Sequence, residues 1–121
     1  MYFFDTYALV ELVKGNPLYR KYSFGKNVTT KYNLIELYYT LLRLFDVQVA
    51  ERYFTFFNTA CVQVGDDILK SAMMFRLEQR KKKNLISYID CIGYFVAHTH
   101  NLRFLTGEKH FKNLPNVEYV K

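Results

Sequence analysis

Residues 2–9 read Tyr2-Phe3-Phe4-Asp5-Thr6-Tyr7-Ala8-Leu9, an apolar run that ends in an acid. The aromatic side chains at 2–4 favour a β-strand, because they suit an extended and half-buried backbone. From about Tyr7 to Lys14 apolar residues recur at helical spacing, which predicts a helix directly after the strand. Gly15 and Pro17 then end that helix. A strand that passes into a helix at an acid is the first unit of an expected α/β fold.

The rest of the chain continues the alternation of strand and helix. Helices are predicted over about 31–45, 47–58, 66–82 and 87–100, with a short one opening at Pro17, and brief strands over 28–29, 61–64, 103–105 and 117–120. Asp66 is expected to cap the third of the long helices. This order predicts parallel strands joined by right-handed crossovers, with helices on both faces. The expectation is one three-layer α/β/α domain with a short parallel sheet over residues 1–121.

Composition limits the cellular setting. No apolar run is long enough to span a membrane and the first residues carry no basic leader, so a cytoplasmic protein without a signal peptide is expected. Cys61 and Cys91 lie in apolar contexts and are expected to be reduced core residues, with a disulfide between them as the alternative. The formal net charge of +6 permits a nucleic acid or an acidic surface as partner.

Several common catalytic motifs are missing. The sequence has no glycine-rich phosphate loop and no G-x-S-x-G elbow. His98 and His100 are two residues apart on a predicted helix and point in different directions, so they are not expected to share a zinc ion. His110 stands alone. Acidic and hydroxyl side chains remain as candidates for chemistry.

Four acids are candidates for a site, namely Asp5, Glu36, Asp90 and Glu108. Each also has an ordinary explanation: a helix cap, a solvated helix residue, part of a capping box after a serine, and a loop residue. In open parallel sheets, sites lie at the carboxyl ends of strands, where Asp5 and Glu108 fall. Clustered carboxylates repel one another and persist mainly around a cation, and Mg²⁺ or Mn²⁺ suits oxygen ligands. The residues alone leave both interpretations open.

The chain resembles the PIN-domain family over its full length, and within that family the VapC-type toxins of toxin–antitoxin pairs. Four segments carry the resemblance in order: Phe3–Leu9, Thr30–Leu37, Ser87–Asp90 followed by Gly93 and Ala97, and Phe104–Phe111. The terminal strand at 116–120 fits as well. The family more often has Asp where this chain has Glu108, and the extra methylene allows a metal contact through water instead of a direct one.

The resemblance implies a metal-dependent endoribonuclease that hydrolyses RNA phosphodiester bonds. The implied ligands of Mg²⁺ or Mn²⁺ are Asp5, Glu36, Asp90 and Glu108, and Thr6 and Thr106 would support them through hydrogen bonds. It also implies a small antitoxin protein as partner and a homodimer. The alternative is a non-catalytic RNA- or protein-binding module on a PIN scaffold.

Two further segments have two interpretations each. Arg80-Lys81-Lys82-Lys83 suits contact with an RNA backbone, but cations at the end of a helix are also favoured by its dipole. Tyr53-Phe54-Thr55-Phe56-Phe57 is either part of a groove or interface, or a helix buried on two sides. The aromatic excess supports the expected homodimer, because it leaves apolar surface to cover.

Overall fold

The computed structural model describes all residues from 1 to 121. Its five strands are β1 (Tyr2–Phe4), β2 (Thr29–Thr30), β3 (Cys61–Val62), β4 (Arg103–Thr106) and β5 (Val117–Tyr119). Its five α-helices are α1 (Thr6–Val13), α2 (Lys31–Leu44), α3 (Val47–Asn58), α4 (Asp66–Lys81) and α5 (Tyr88–Thr99). Short 3₁₀ helices cover Arg20–Ser23 and Lys109–Phe111. None of the α-helices combines the length and hydropathy that a membrane crossing requires.

The strands form a parallel arrangement with β1 at its centre. β1 pairs with β4 and β4 with β5, while β2 pairs with β3. Val28 joins the two groups, because its N–H donates to the Tyr2 carbonyl at 3.1 Å and its carbonyl accepts from the Phe4 N–H at 2.9 Å. The resulting order is β3-β2-β1-β4-β5, all parallel, which confirms the predicted α/β fold class.

Alternating side chains in β1 and β4 separate two hydrophobic cores. Phe4 and Leu105 pack against the layer that contains α1, α2 and α3. Phe3 and Phe104 point to the opposite face and pack against α4 and α5, with their rings stacked at a centroid distance of 5.6 Å. Successive residues of a strand face opposite sides, so the short sheet is covered by helices on both. The three-layer α/β/α prediction is therefore confirmed.

Some local predictions are wrong. The N-cap of α4 is Gly65, and Asp66 is the first helical residue, where the helix dipole also favours an acid. β3 ends at Val62 instead of residue 64, since only Cys61 and Val62 have partners in β2. After Pro17 the chain forms turns before the 3₁₀ helix begins at Arg20.

The aromatic segment of α3 is not buried on two sides. Phe57 is buried, Tyr53 and Phe54 are half-buried, and Phe56 remains 66% exposed. The helix therefore packs one face against α2 and leaves an apolar side chain in solvent. Both cysteines are free, as expected.

Candidate active site

Asp5 lies where β1 passes into α1. Its backbone is extended, and its side chain accepts a hydrogen bond from the Ala8 N–H at 2.8 Å, so it caps α1. A carboxylate in a simple cap has a low pKa, because the amide bond and the helix dipole favour its charge. Burial and, next, the negative charge of Asp90 instead raise the pKa of Asp5 well above its ordinary value. Asp5 is thus a cap in an environment that opposes its charge.

Asp90 occupies the first turn of α5, whose N-cap is Ser87. The Asp90 N–H donates to the Ser87 hydroxyl at 3.1 Å, as a capping box predicts. Burial and the charge of Glu36 raise the pKa of Asp90 to about 6, although a hydrogen bond with Ser87 partly offsets them. Glu108 adds a smaller effect in the same direction. Ser87 therefore does cap α5, as predicted. The cap does not explain why the Asp90 carboxyl group lies where its charge is disfavoured.

Glu36 is half-buried on α2 and faces the start of α1. The Thr6 hydroxyl, one residue after Asp5, donates to Glu36 Oε1 at 2.5 Å. A solvated helix glutamate would have no such long-range partner. The hydrogen bond fixes one carboxylate oxygen of Glu36 beside the end of β1.

Glu108 follows β4 and is held at both its backbone and its side chain. Its N–H donates to the Thr106 hydroxyl at 2.9 Å, and its carboxylate accepts from the His110 N–H at 3.2 Å. The same carboxylate contacts the Nδ1 of the His110 ring. His110 is therefore not alone, contrary to the prediction. The spacing of an acid and a histidine two residues apart in a short turn was the available signal.

The structure brings the four acids into one electrostatic neighbourhood. Asp90 and Glu108 both raise the pKa of Asp5, and Glu36 and Glu108 both raise the pKa of Asp90. Thr106 lies between two of them, because its hydroxyl hydrogen-bonds Asp5 and accepts from the Glu108 N–H. No three acidic, histidine or cysteine side chains surround one common metal position as they stand.

The innermost acids form no ion pair with a protein cation. The ion pairs of the structure are Lys14–Glu11, Arg103–Glu118 and His110–Glu108, and none includes Asp5, Glu36 or Asp90. The chain nevertheless has 17 lysines and arginines, whose charges lie elsewhere. A buried carboxylate without a cationic partner is costly, so this donor set fits an external oxygen-binding cation such as Mg²⁺ or Mn²⁺.

This geometry defines a class of protein. It is an α/β domain with a cluster of acids at the carboxyl ends of its parallel strands. The profile of the PIN domain matches residues 2–117. The chain belongs to the PIN-domain family. No curated protein sequence matches it significantly.

Solved structures of toxin–antitoxin proteins share the fold. A toxin–antitoxin complex from Klebsiella pneumoniae is 20% identical with a TM-score of 0.76, and covers 98% of this chain and 96% of its own. VapBC2 of Rickettsia felis, bound to a DNA fragment from its promoter, is 17% identical with the same TM-score and coverage. Mycobacterium tuberculosis VapC20, a toxin that cleaves the sarcin–ricin loop, is 15% identical, with a TM-score of 0.72 and 88% of both chains covered. The fold is therefore that of VapC-type PIN proteins.

Proposed function

We propose that this protein is a metal-dependent endoribonuclease and the toxin of a VapBC-type toxin–antitoxin pair. The observation that carries the proposal is the pair Asp5 and Asp90, a buried and a half-buried acid whose pKa values are both raised and neither of which forms an ion pair with a protein cation. Strongly perturbed acids grouped at the edge of a sheet are typical of functional sites. The family membership and the shared fold of VapC-type toxins support the same conclusion.

The proposed ligands of Mg²⁺ or Mn²⁺ are Asp5 and Asp90, with Glu36 and Glu108 as further or water-mediated ligands. A bound divalent ion supplies a more acidic water molecule and offsets charge that grows on the phosphate oxygens. Neighbouring hydroxyl side chains hold the carboxylates in position for the ion. Thr106 hydrogen-bonds Asp5 and fixes the backbone of Glu108, and Thr6 holds Glu36.

Cleavage of single-stranded RNA tests this proposal. The purified protein should cut RNA with Mg²⁺ or Mn²⁺ and stop when a chelator is added. Asp5→Asn should abolish cutting, because a neutral amide does not balance a divalent charge. Asparagine also caps helices well, so α1 should keep its N-terminus. Asp67→Asn is a matched control, since Asp67 is an exposed acid in the first turn of α4, and it should cut normally.

Mn²⁺ titration separates the enzyme from a non-catalytic binding module on the same scaffold. The wild-type protein should bind Mn²⁺ in a calorimetric titration, and Asp5→Asn should bind it much more weakly. A protein that binds RNA equally well with and without the ion, and never cuts it, would favour the binding module instead.

The proposed partners are RNA as substrate and a small antitoxin protein, in the cytoplasm. The solved neighbours described as toxin–antitoxin and VapBC complexes support an antitoxin. We also propose a homodimer in the absence of antitoxin. Its support is the exposed apolar surface of α2 and α3, which includes Ile35, Tyr39 and Phe56. Exposed apolar patches of this kind mark protein–protein contacts.

A further inference from the structure

Asn33 is a fully buried amide in the first turn of α2, among core leucines on the same helix. Placing a side-chain amide in a protein core costs free energy unless its polar atoms are hydrogen-bonded. Every buried side-chain nitrogen and oxygen in the structure has a partner. The partners of Asn33 therefore show what the amide does in the core.

Hydrogen bonds connect Asn33 to Glu36 through the neighbouring helix. The Thr30 hydroxyl, at the N-cap of α2, donates to Asn33 Oδ1 at 2.6 Å. Asn33 Nδ2 donates to Thr6 Oγ1 on α1 at 3.2 Å, and the Thr6 hydroxyl donates to Glu36 Oε1 at 2.5 Å. These contacts form a chain that runs from the cap of α2 to a carboxylate of the candidate site.

The direction of donation along this chain is fixed. The Glu36 carboxylate only accepts, so the Thr6 hydroxyl gives it its single proton, and the Thr6 oxygen is left to accept from Asn33 Nδ2. The amide oxygen of Asn33 therefore faces Thr30, whose hydroxyl donates to it. An aspartate or a leucine at position 33 would provide no donor for Thr6, and the Thr6 hydroxyl would be free to rotate away.

We propose that Asn33 is a positioning residue for Glu36 and acts through Thr6. It holds the hydroxyl of Thr6 in the one orientation that binds the carboxylate. The proposal rests on the proposed nuclease function, because an oriented Glu36 affects turnover only if the acids form an active site. Asn33 itself contacts neither the RNA nor an ion.

Two substitutions of Asn33 test the role. Asn33→Leu removes the amide. Asn33→Asp retains an acceptor for Thr30 and introduces an acid into the first turn of the helix, where the dipole favours it. Each should lower kcat for RNA cleavage by roughly tenfold to a hundredfold, as loss of groups behind metal ligands does. KM should change by less than about twofold, because no contact with RNA is lost. Asn113→Leu, at an exposed asparagine, is the control and should leave kcat unchanged.

A double mutant separates positioning from general damage to the fold. Thr6→Val alone should lower kcat, and adding Asn33→Leu should then cause little further loss, since the chain is already broken. If Asn33→Leu does not fold, Asn33→Asp is used in the same cycle. A wild-type kcat in Asn33→Asp would overturn the proposal. So would a fall in kcat caused by Asn33→Leu that is as large on the Thr6→Val background as in the wild-type protein.

A spectroscopic readout makes the result independent of RNA cleavage. In ¹⁵N-labelled protein the side-chain NH₂ resonances of Asn33 should shift clearly in Thr6→Val and stay in place in the control Asn113→Leu. Unchanged Asn33 resonances in Thr6→Val would overturn the hydrogen-bond chain. A wild-type protein that cuts no RNA with either ion would overturn the proposed function. The side-chain NH₂ resonances would still show whether Asn33 is hydrogen-bonded to Thr6.

Discussion

Replacing Asp90 by asparagine should abolish RNA cleavage and, in metal-free protein, stabilise the fold. Burial and the charge of Glu36 raise the pKa of Asp90 from 3.8 to about 6. Above that pH the folded protein holds a carboxylate that its surroundings disfavour, and each pKa unit corresponds to about 1.4 kcal/mol. The raised pKa thus corresponds to roughly 3 kcal/mol of lost stability at pH 7. Asparagine removes the charge and still accepts from Ser87, so Asp90→Asn should raise the melting temperature by up to about 10 °C.

The pH dependence of this gain follows from the sign of the shift. Between pH 4 and about 6 the folded wild type binds more protons at Asp90 than the unfolded chain, so its stability falls as the pH rises. The advantage of Asp90→Asn should therefore be small near pH 4, absent below about pH 3 and complete above about pH 6 to 7. Melting curves in chelator across this range, measured beside RNA cleavage with Mn²⁺, check both effects.

A matched acid distinguishes a site from a cap. Asp67 also lies in the first turn of a helix but is exposed, so Asp67→Asn should cost about 0.3–1 kcal/mol of helix-dipole stabilisation and leave cleavage intact. If Asp90→Asn instead melts lower than wild type in chelator and cuts RNA at the wild-type rate, Asp90 is only a helix-terminal residue and the reasoning is refuted.

Three further predictions concern the surroundings of the site and the assembly. Gly107→Ala should lower stability by about 1–3 kcal/mol in thermal melts, because an added Cβ would lie 2.2 Å from the Tyr7 ring; an unchanged melting temperature would show that this contact relaxes freely. Thr106→Val should destabilise by about 1–3 kcal/mol in urea, because the Glu108 N–H loses its acceptor, and Thr106→Ser should restore it. Light scattering should give a homodimer for the antitoxin-free protein and a monomer for Phe56→Glu, and a wild-type monomer at high concentration would contradict the dimer.

Much of the fold could be predicted from local patterns. The alternation of strands and helices along the chain predicted a parallel sheet covered by helices on both faces, and Ser87 was identified as a helix cap from its neighbours alone. The length of β3 could not be predicted, because strand pairing in the structure ends at Val62 although residues 63 and 64 continue the pattern. The start of α4 was placed at the wrong cap, since Gly65 and Asp66 both suit a helix N-terminus.

The candidate site was predicted on other grounds than the fold. Asp5, Glu36, Asp90 and Glu108 were singled out as a set by the family resemblance, since each spacing alone also fits an ordinary cap or surface residue. Their chemical roles remain predictions. Their mutual influence on pKa became visible only in the folded chain. The same holds for the contact of His110 with Glu108.

The sequence by itself determined the order of the elements and several of the helix caps, because backbone periodicity and capping act between residues a few positions apart. Only the tertiary structure decided that Thr6 meets Glu36 and that Asn33 is enclosed with them. Residues 30 positions apart in the chain approach each other through the crossing of two helices over a sheet. That approach depends on how whole faces pack, and no short stretch of sequence encodes it.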